Sequence, residues 1–341
     1  MAGGGDTVDL VAAVSNAGGM GFFGAAYSSP SEIVQRASQI RARTPRPFGI
    51  NLFVIPEDSN HSNLQAAMQR LSKYYEEFQI GRPAPPPAPA YTVEQQLDAV
   101  LESSADAFSF IFGSLPKAAI EKVKAKGIYV MGTATTVVEA VELADLGVDA
   151  VIAQGAEAGG HRGSFDPKAE PNMVGTMALV PQIVDAVKIP ALAAGGIMDG
   201  RGIVAALALG AQAVQMGTAF LNCKESGIPQ VYREALLSTR EDQITTTRAF
   251  SGRPARGIEN RFIREMRAAE QAGDLLPFPT QNSLTRPIRN ASAKNNSPEF
   301  LSLWAGQGIR LSRQLSAAEL IDKLCFEISE VAKKIPQLLQ V

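Results

Sequence analysis

Four stretches of the chain combine residue types and spacing that could do chemistry. Gln154 through Gly163 reads QGAEAGGHRG, and places His161, one of only two histidines, among glycines 155, 159, 160 and 163. A glycine-rich loop lets backbone amides approach a ligand, and an imidazole held there can titrate near neutrality and serve as a base. The alternative, a merely structural histidine, is accepted for His61 in the polar stretch Ser59-Asn60-His61-Ser62. Ala193 through Gly202 (AAGGIMDGRG) and Gln215-Met216-Gly217-Thr218 each put glycine at the end of an apolar run. Taken alone, such glycines are ordinary tight turns. At consecutive strand ends of a parallel barrel they form a phosphate cradle instead, because amides and a helix N-terminus there favour anionic charge. Two separated histidines and two cysteines, Cys223 and Cys325, supply no transition-metal site and no disulfide framework. No nucleophile elbow and no Walker loop occurs, which argues against a serine hydrolase or a P-loop ATPase. Cys223 reads as packing rather than as a nucleophile.

These loops need a scaffold, and the chain describes one. Seven short apolar segments, Met20–Gly24, Phe48–Phe53, Ala107–Phe112, Tyr129–Thr133, Ala150–Ala153, Ala191–Ala194 and Ala213–Gly217, alternate with segments of helical spacing. Lys117–Lys126, Val137–Leu146 and Ile203–Leu209 each stop at a glycine, the usual C-terminal cap. The alternation predicts βαβ units with parallel strands. A helix over Thr7–Ala17 opens the chain with no strand before it. The fold class is therefore read as α/β, a TIM (β/α)8-type barrel lacking its first strand in this chain, with a doubly wound open sheet as the alternative. Residues 1–221 are assigned to this barrel. Residues 222–315 are assigned to a smaller, mostly helical lobe covering the substrate, with a helix over Pro229–Ser238 and a Thr- and Arg-rich stretch over Ile244–Phe262. The amphipathic segment Ser316–Gln340 is expected to return to the barrel within 316–341. Gly81–Ala90 (GRPAPPPAPA) reads as a surface excursion.

The composition narrows the function further. The 341 residues carry 32 basic and 34 acidic side chains, a net charge of −2, which excludes a polybasic nucleic-acid surface. No apolar run of membrane-spanning length and no hydrophobic leader core occurs, so a soluble, cytoplasmic protein is expected.

Together, Ala12–Gly19 (AAVSNAGG), Gly49–Phe53 (GINLF), the three loops above and Trp304–Gly308 (WAGQG) resemble the nitronate monooxygenase family, formerly called 2-nitropropane dioxygenases. The resemblance covers nearly the whole chain. It implies FMN, with the phosphate on Gly196 and on Gln215, Met216, Gly217 and Thr218, and with further contacts from Asn51, Gln154 and Gly159. It implies His161 as the catalytic residue, and a reaction in which an alkyl nitronate and dioxygen give a carbonyl compound and nitrite. A neutral nitroalkane would first lose its α-proton to the histidine. Some members place tyrosines and a lysine over the substrate; counted back from Trp304 those positions are Phe278, Asn282 and Arg286. Arg286 is either the cation that attracts the nitronate or a surface helix charge. The competing functions are an NAD(P)H-dependent quinone or enoyl-acyl-carrier-protein reductase on the same scaffold, a flavin-free sugar-phosphate lyase or isomerase, and a non-catalytic flavin binder. The chain has no separate dinucleotide fingerprint after a strand, which disfavours the first of these.

Overall fold

The computed structural model describes residues 3–55, 63–87, 89–166 and 173–338; His61 lies outside them. Buried apolar runs make the strands. β1 (Gly21–Gly24), β2 (Phe48–Phe53), β3 (Ala107–Ile111), β4 (Tyr129–Ala134) and β5 (Ala150–Gln154) pair in sequence order, all parallel. β6 (Gly160–His161) leaves that sheet, and β7 (Ala191–Ala194) and β8 (Ala213–Gln215) complete it. All seven strand segments expected from the sequence are present. A doubly wound sheet reverses its strand order at a switch point; this sheet never does, so the open-sheet alternative falls away.

Inside the curl, Ala107, Met131, Ala150, Ile152 and Ala194 meet Phe22 and Leu192. Gly49 is required there, because a Cβ at that position would overlap the Phe22 ring. The helices α1 (Val8–Asn16), α2 (Pro30–Arg41), α3 (Leu64–Glu77), α4 (Val93–Glu102), α5 (Lys117–Lys124), α6 (Val137–Leu146), α7 (Thr176–Ala186) and α8 (Gly200–Ala208) follow in order. Their ends are set locally. The Thr136 hydroxyl accepts from the Glu139 amide at the start of α6, and Gly147 ends that helix at φ 92°, a left-handed conformation. Among the described residues β1 and β8 do not pair with each other. The helix layer nevertheless crosses that gap, because the C-terminal helix α13 (Ala317–Leu338) packs on both α8 and α1.

Between these two parts run α9 (Thr218–Leu221), α10 (Gln230–Ser238), β9 (Ile244–Thr247), β10 (Ala255–Ile258), α11 (Arg261–Gln271) and α12 (Thr280–Lys294). The Thr- and Arg-rich stretch is a β-hairpin, with Ile244 opposite Ile258, and β6 pairs antiparallel to β10 with His161 opposite Ala255. These three strands form a second sheet, in the order β6-β10-β9, built partly from the histidine loop. Helix α3 joins it too: Leu71, Tyr74 and Tyr75 pack with Phe250, Phe262, Leu284 and Phe300.

Candidate active site

Four loops meet at the C-terminal ends of the parallel strands. The loop after β5 is tied to the start of α7 through Glu157, whose carboxylate accepts from the Thr176 amide (2.8 and 2.9 Å) and hydroxyl (2.8 Å). The same hydroxyl lies 2.9 Å from the Gly195 carbonyl oxygen. The Trp304–Gly308 segment then closes over both: the Gln307 amide donates to the Glu157 carbonyl (3.0 Å), and the Gly306 amide to the Thr218 hydroxyl (3.0 Å). Among the described residues the amides of Gly195, Gly196 and Gly217 donate to no backbone acceptor. Gly195 and Gly196 hold left-handed conformations, φ 110° and 72°, that turn this corner. Adjacent unpaired amides at consecutive strand ends are what a phosphate requires, so these residues fit the phosphoryl end of a flavin nucleotide. Removing the tie tests its weight. Glu157→Ala should lower unfolding stability by about 2 kcal/mol, since a charged acceptor of buried donors is lost; a urea melt with an unchanged midpoint would show that the loops stand without it.

His161 faces the same mouth from β6. Its ring is walled by Phe53, Phe112, Phe278 and Trp304, with centroids 6.0, 5.6, 5.9 and 5.6 Å away. Nε2 lies 2.9 Å from the Ser251 hydroxyl, which also lies 3.1 Å from the Arg253 carbonyl. The hydroxyl has one proton for these two acceptors; in the tautomer where the carbonyl takes it, the imidazole donates through Nε2 and keeps its lone pair at Nδ1. Burial in the aromatic box, and then the Arg253 and Arg289 guanidiniums, push its pKa down to about 3. This corrects the sequence-based expectation of an imidazole titrating near neutrality: the glycine loop suggested an open setting, but aromatic side chains from four distant segments close it.

Two guanidiniums flank the box. The Arg253 guanidinium stacks on Phe112 at 4.1 Å and bonds the Ser164 and Phe165 carbonyls; Arg248 acts against its charge, and Asp166 and Glu139 favour it. Arg289, on α12, donates to the Asn282 carbonyl (2.9 Å) and side-chain oxygen (2.8 Å), while its buried Nε has no partner. Burial holds the pKa of both below the usual range, at about 10. Tyr27 packs edge-on against Phe53 at 5.8 Å.

The residues expected from the sequence fall into three sets. Gly159, Gly196 and Thr218 come together around the Trp304–Gly308 segment: a Cβ on Gly159 would lie 2.5 Å from the Gly306 amide nitrogen, and Gly308 adjoins Gly196. Gln215 and Gly217 are exposed beside them, and Met216 packs partly into the barrel core. Asn51 and Gln154 have their amides engaged within the protein. Asn51 donates to Ser109 (2.8 Å), and Gln154 clamps the histidine loop by donating to the His161 carbonyl (3.1 Å) and accepting from the Gly163 amide (2.7 Å). In the smaller lobe Phe278 forms a wall of the box and Asn282 anchors Arg289, whereas Arg286 is exposed with its guanidinium 4.9 Å above Tyr27. Tyr27, Ser251, Arg253 and Arg289 were not singled out in the sequence. Only Arg289 carried a usable signal, since it lies seven residues after Asn282 and so on the same helical face.

Fold and site together define an α/β barrel enzyme with unpaired glycine amides at its last two strands and an aromatic, cationic cluster around His161 beside them. The comparisons with known proteins agree. The chain matches the nitronate monooxygenase family over residues 1–327. It is 42% identical over 339 residues to a "Probable nitronate monooxygenase" of Staphylococcus saprophyticus subsp. saprophyticus, covering 97% of this chain and 94% of that protein. Its structure is similar to that of the nitroalkane oxidase from Streptomyces ansochromogenes, with a TM-score of 0.92 and 37% identity over 98% of this chain and 95% of that one. It is also similar to FabK from Thermotoga maritima, with a TM-score of 0.78 and 28% identity over 99% and 94%. The chain belongs to the nitronate monooxygenase family, which consists of flavin-dependent oxidoreductases. Among the described residues no helix is long and apolar enough to cross a membrane, and no group of His, Cys, Asp or Glu could hold a metal ion.

Proposed function

We propose that this enzyme oxidises alkyl nitronates with dioxygen, giving a carbonyl compound and nitrite, and that its cofactor is FMN. The observation that carries the reading is the charge of the pocket. A neutral imidazole sits between two guanidiniums, within aromatic walls, beside a row of unpaired amides. Such a pocket attracts an anion and repels a second proton. Gly196 and the Gln215–Thr218 segment hold the phosphate, with Asn51, Gln154 and Gly159 along the flavin. FMN held there would supply the redox chemistry that carries electrons between substrate and dioxygen. The chain's own residues orient and exclude. Phe53, Phe112, Phe278 and Trp304 keep water from the substrate carbon, and the Nδ1 lone pair of His161 takes the α-proton when the substrate arrives as a neutral nitroalkane. Because the imidazolium so formed is disfavoured, the ready-made nitronate is the better substrate.

The test is oxygen consumption and nitrite release by the purified yellow protein. With propionate 3-nitronate and simple alkyl nitronates both should appear. Under anaerobic mixing, flavin bleaching by NADH and not by a nitronate would overturn the reading in favour of a reductase. A colourless protein that gains no flavin bands with FMN would point to a flavin-free enzyme.

A further inference from the structure

Arg289 is a half-buried cation whose partners do not account for its charge. Among the described residues only the Asn282 oxygens accept from it, both on Nη2. Its Nε is buried and unpaired, and no carboxylate pairs with it among the described residues. Leaving a guanidinium so placed is costly unless something anionic completes it. Around it the geometry is directed. The aromatic ring of Tyr27 touches Phe53, Phe53 touches His161, and Arg286 covers the outer face of Tyr27 at 4.9 Å. The Tyr27 hydroxyl has no hydrogen-bond partner among the described residues. Both groups lie within electrostatic reach of Arg289, and Arg289 in turn acts on the His161 ring.

We propose that Arg289 is the anion anchor of the substrate site: its guanidinium binds the negatively charged oxygen atoms of the substrate, and the Tyr27 hydroxyl donates a second hydrogen bond to them. This rests on the reading of the enzyme as one that takes nitronates, and it moves the substrate cation from Arg286 to the residue three positions further along α12. Arg286 forms the exposed rim. Arg253 also has a nitrogen without a partner, Nη1, but it is sealed inside the protein at 4% exposure, stacked on Phe112 at 4.1 Å with Nη2 on the Ser164 and Phe165 carbonyls, so it presents no face to a substrate. A planar oxyanion suits the planar guanidinium fork better than it suits a point charge, so lysine replaces it only in part.

The experiment compares wild type, Arg289→Met and Arg289→Lys as holoenzymes on one alkyl nitronate and on the corresponding neutral nitroalkane. Arg289→Met should raise KM for the nitronate about 30-fold with kcat changed less than about threefold, the loss expected of a charge-assisted contact to a bound anion. KM for the nitroalkane should move less than about threefold, and Arg289→Lys should recover part of the nitronate loss. Equal rises for both substrates, or none for the nitronate, would overturn the assignment. A second readout is independent of turnover. Trp304 is the single tryptophan and lies 5.6 Å from His161, so its fluorescence should report nitrate, an unreactive planar oxyanion. Wild type should show a saturable change that Arg289→Met lacks. If wild type oxidises neither substrate, the functional reading fails; the nitrate titration then still decides the anchor, and no response in wild type would remove it.

Discussion

Replacing His161 with alanine should lower kcat/KM for a neutral nitroalkane by about 10²- to 10⁴-fold, the usual worth of a positioned base. For the matching nitronate, which has no α-proton to lose, the fall should be about tenfold. The difference follows from the proton chemistry of Nδ1. Flavin content should stay near wild type, because no amide of the phosphate cradle contacts the ring. Rates that are unchanged with both substrates would take His161 out of the reaction. The depressed pKa adds a second expectation: between about pH 5 and pH 8 the nitronate rate should show no imidazole titration, because the ring is already neutral throughout. The sign for stability is fixed by the same shift. As pH falls below 6.5 the unfolded chain takes up a proton that the native ring refuses until about 3, so stability is full above 6.5 and drains away below it. His161→Phe, which keeps an aromatic ring in the box, should therefore lose about 2 kcal/mol less than wild type on going from pH 7.5 to about pH 5. Equal losses would mean that the imidazole is more open to water than the four rings around it suggest.

What the sequence shows about this protein, and what it hides, divides along sequence distance. The parallel strands are legible because each is a short, mostly apolar run, as β2 and β5 are, closed by a turn residue a few positions on. The hairpin of β9 and β10 is not, since four residues of ITTT look the same in a loop as in a strand. The two residues of β6 become a strand only because β10 arrives beside them. The glycines at the ends of the last two strands could be placed from position, because strand ends and their turns follow from the βα alternation. The protonation state of His161 could not be, because it depends on Phe53, Phe112, Phe278, Trp304 and Arg289, which local spacing leaves unconnected. Arg286 and Arg289 differ by three positions and by opposite surroundings. One is exposed over Tyr27 and the other has its Nε buried, a distinction that exists only once α12 is packed.

Gly159→Val should cost the enzyme its flavin and part of its fold at once. A Cβ at 159 would stand 2.5 Å from the Gly306 amide nitrogen and 2.6 Å from the Ala305 carbonyl carbon. Both are backbone atoms, so no side chain can swing aside; the Trp304–Gly308 segment must move instead. That segment is held by the bonds from Gln307 to Glu157 and from Gly306 to Thr218, and it carries Trp304 against His161. Displacing it should cost about 1–3 kcal/mol, the range for overpacking a closed site. It should also weaken flavin binding about 100-fold or more, corresponding to about 2.7 kcal/mol. Gly217→Val separates the two effects. Its Cβ would meet nothing within 4 Å and its φ is −106°, so the protein should accommodate a side chain there, and only a ligand seated on the Gly217 amide would feel it. The valine at 217 should therefore release flavin at nearly unchanged stability, read as the flavin-to-protein absorbance ratio beside a urea melt. If the 217 variant keeps its full complement of flavin, the phosphate does not sit at the end of β8, and the cradle must be sought among the Gly195–Gly196 amides alone.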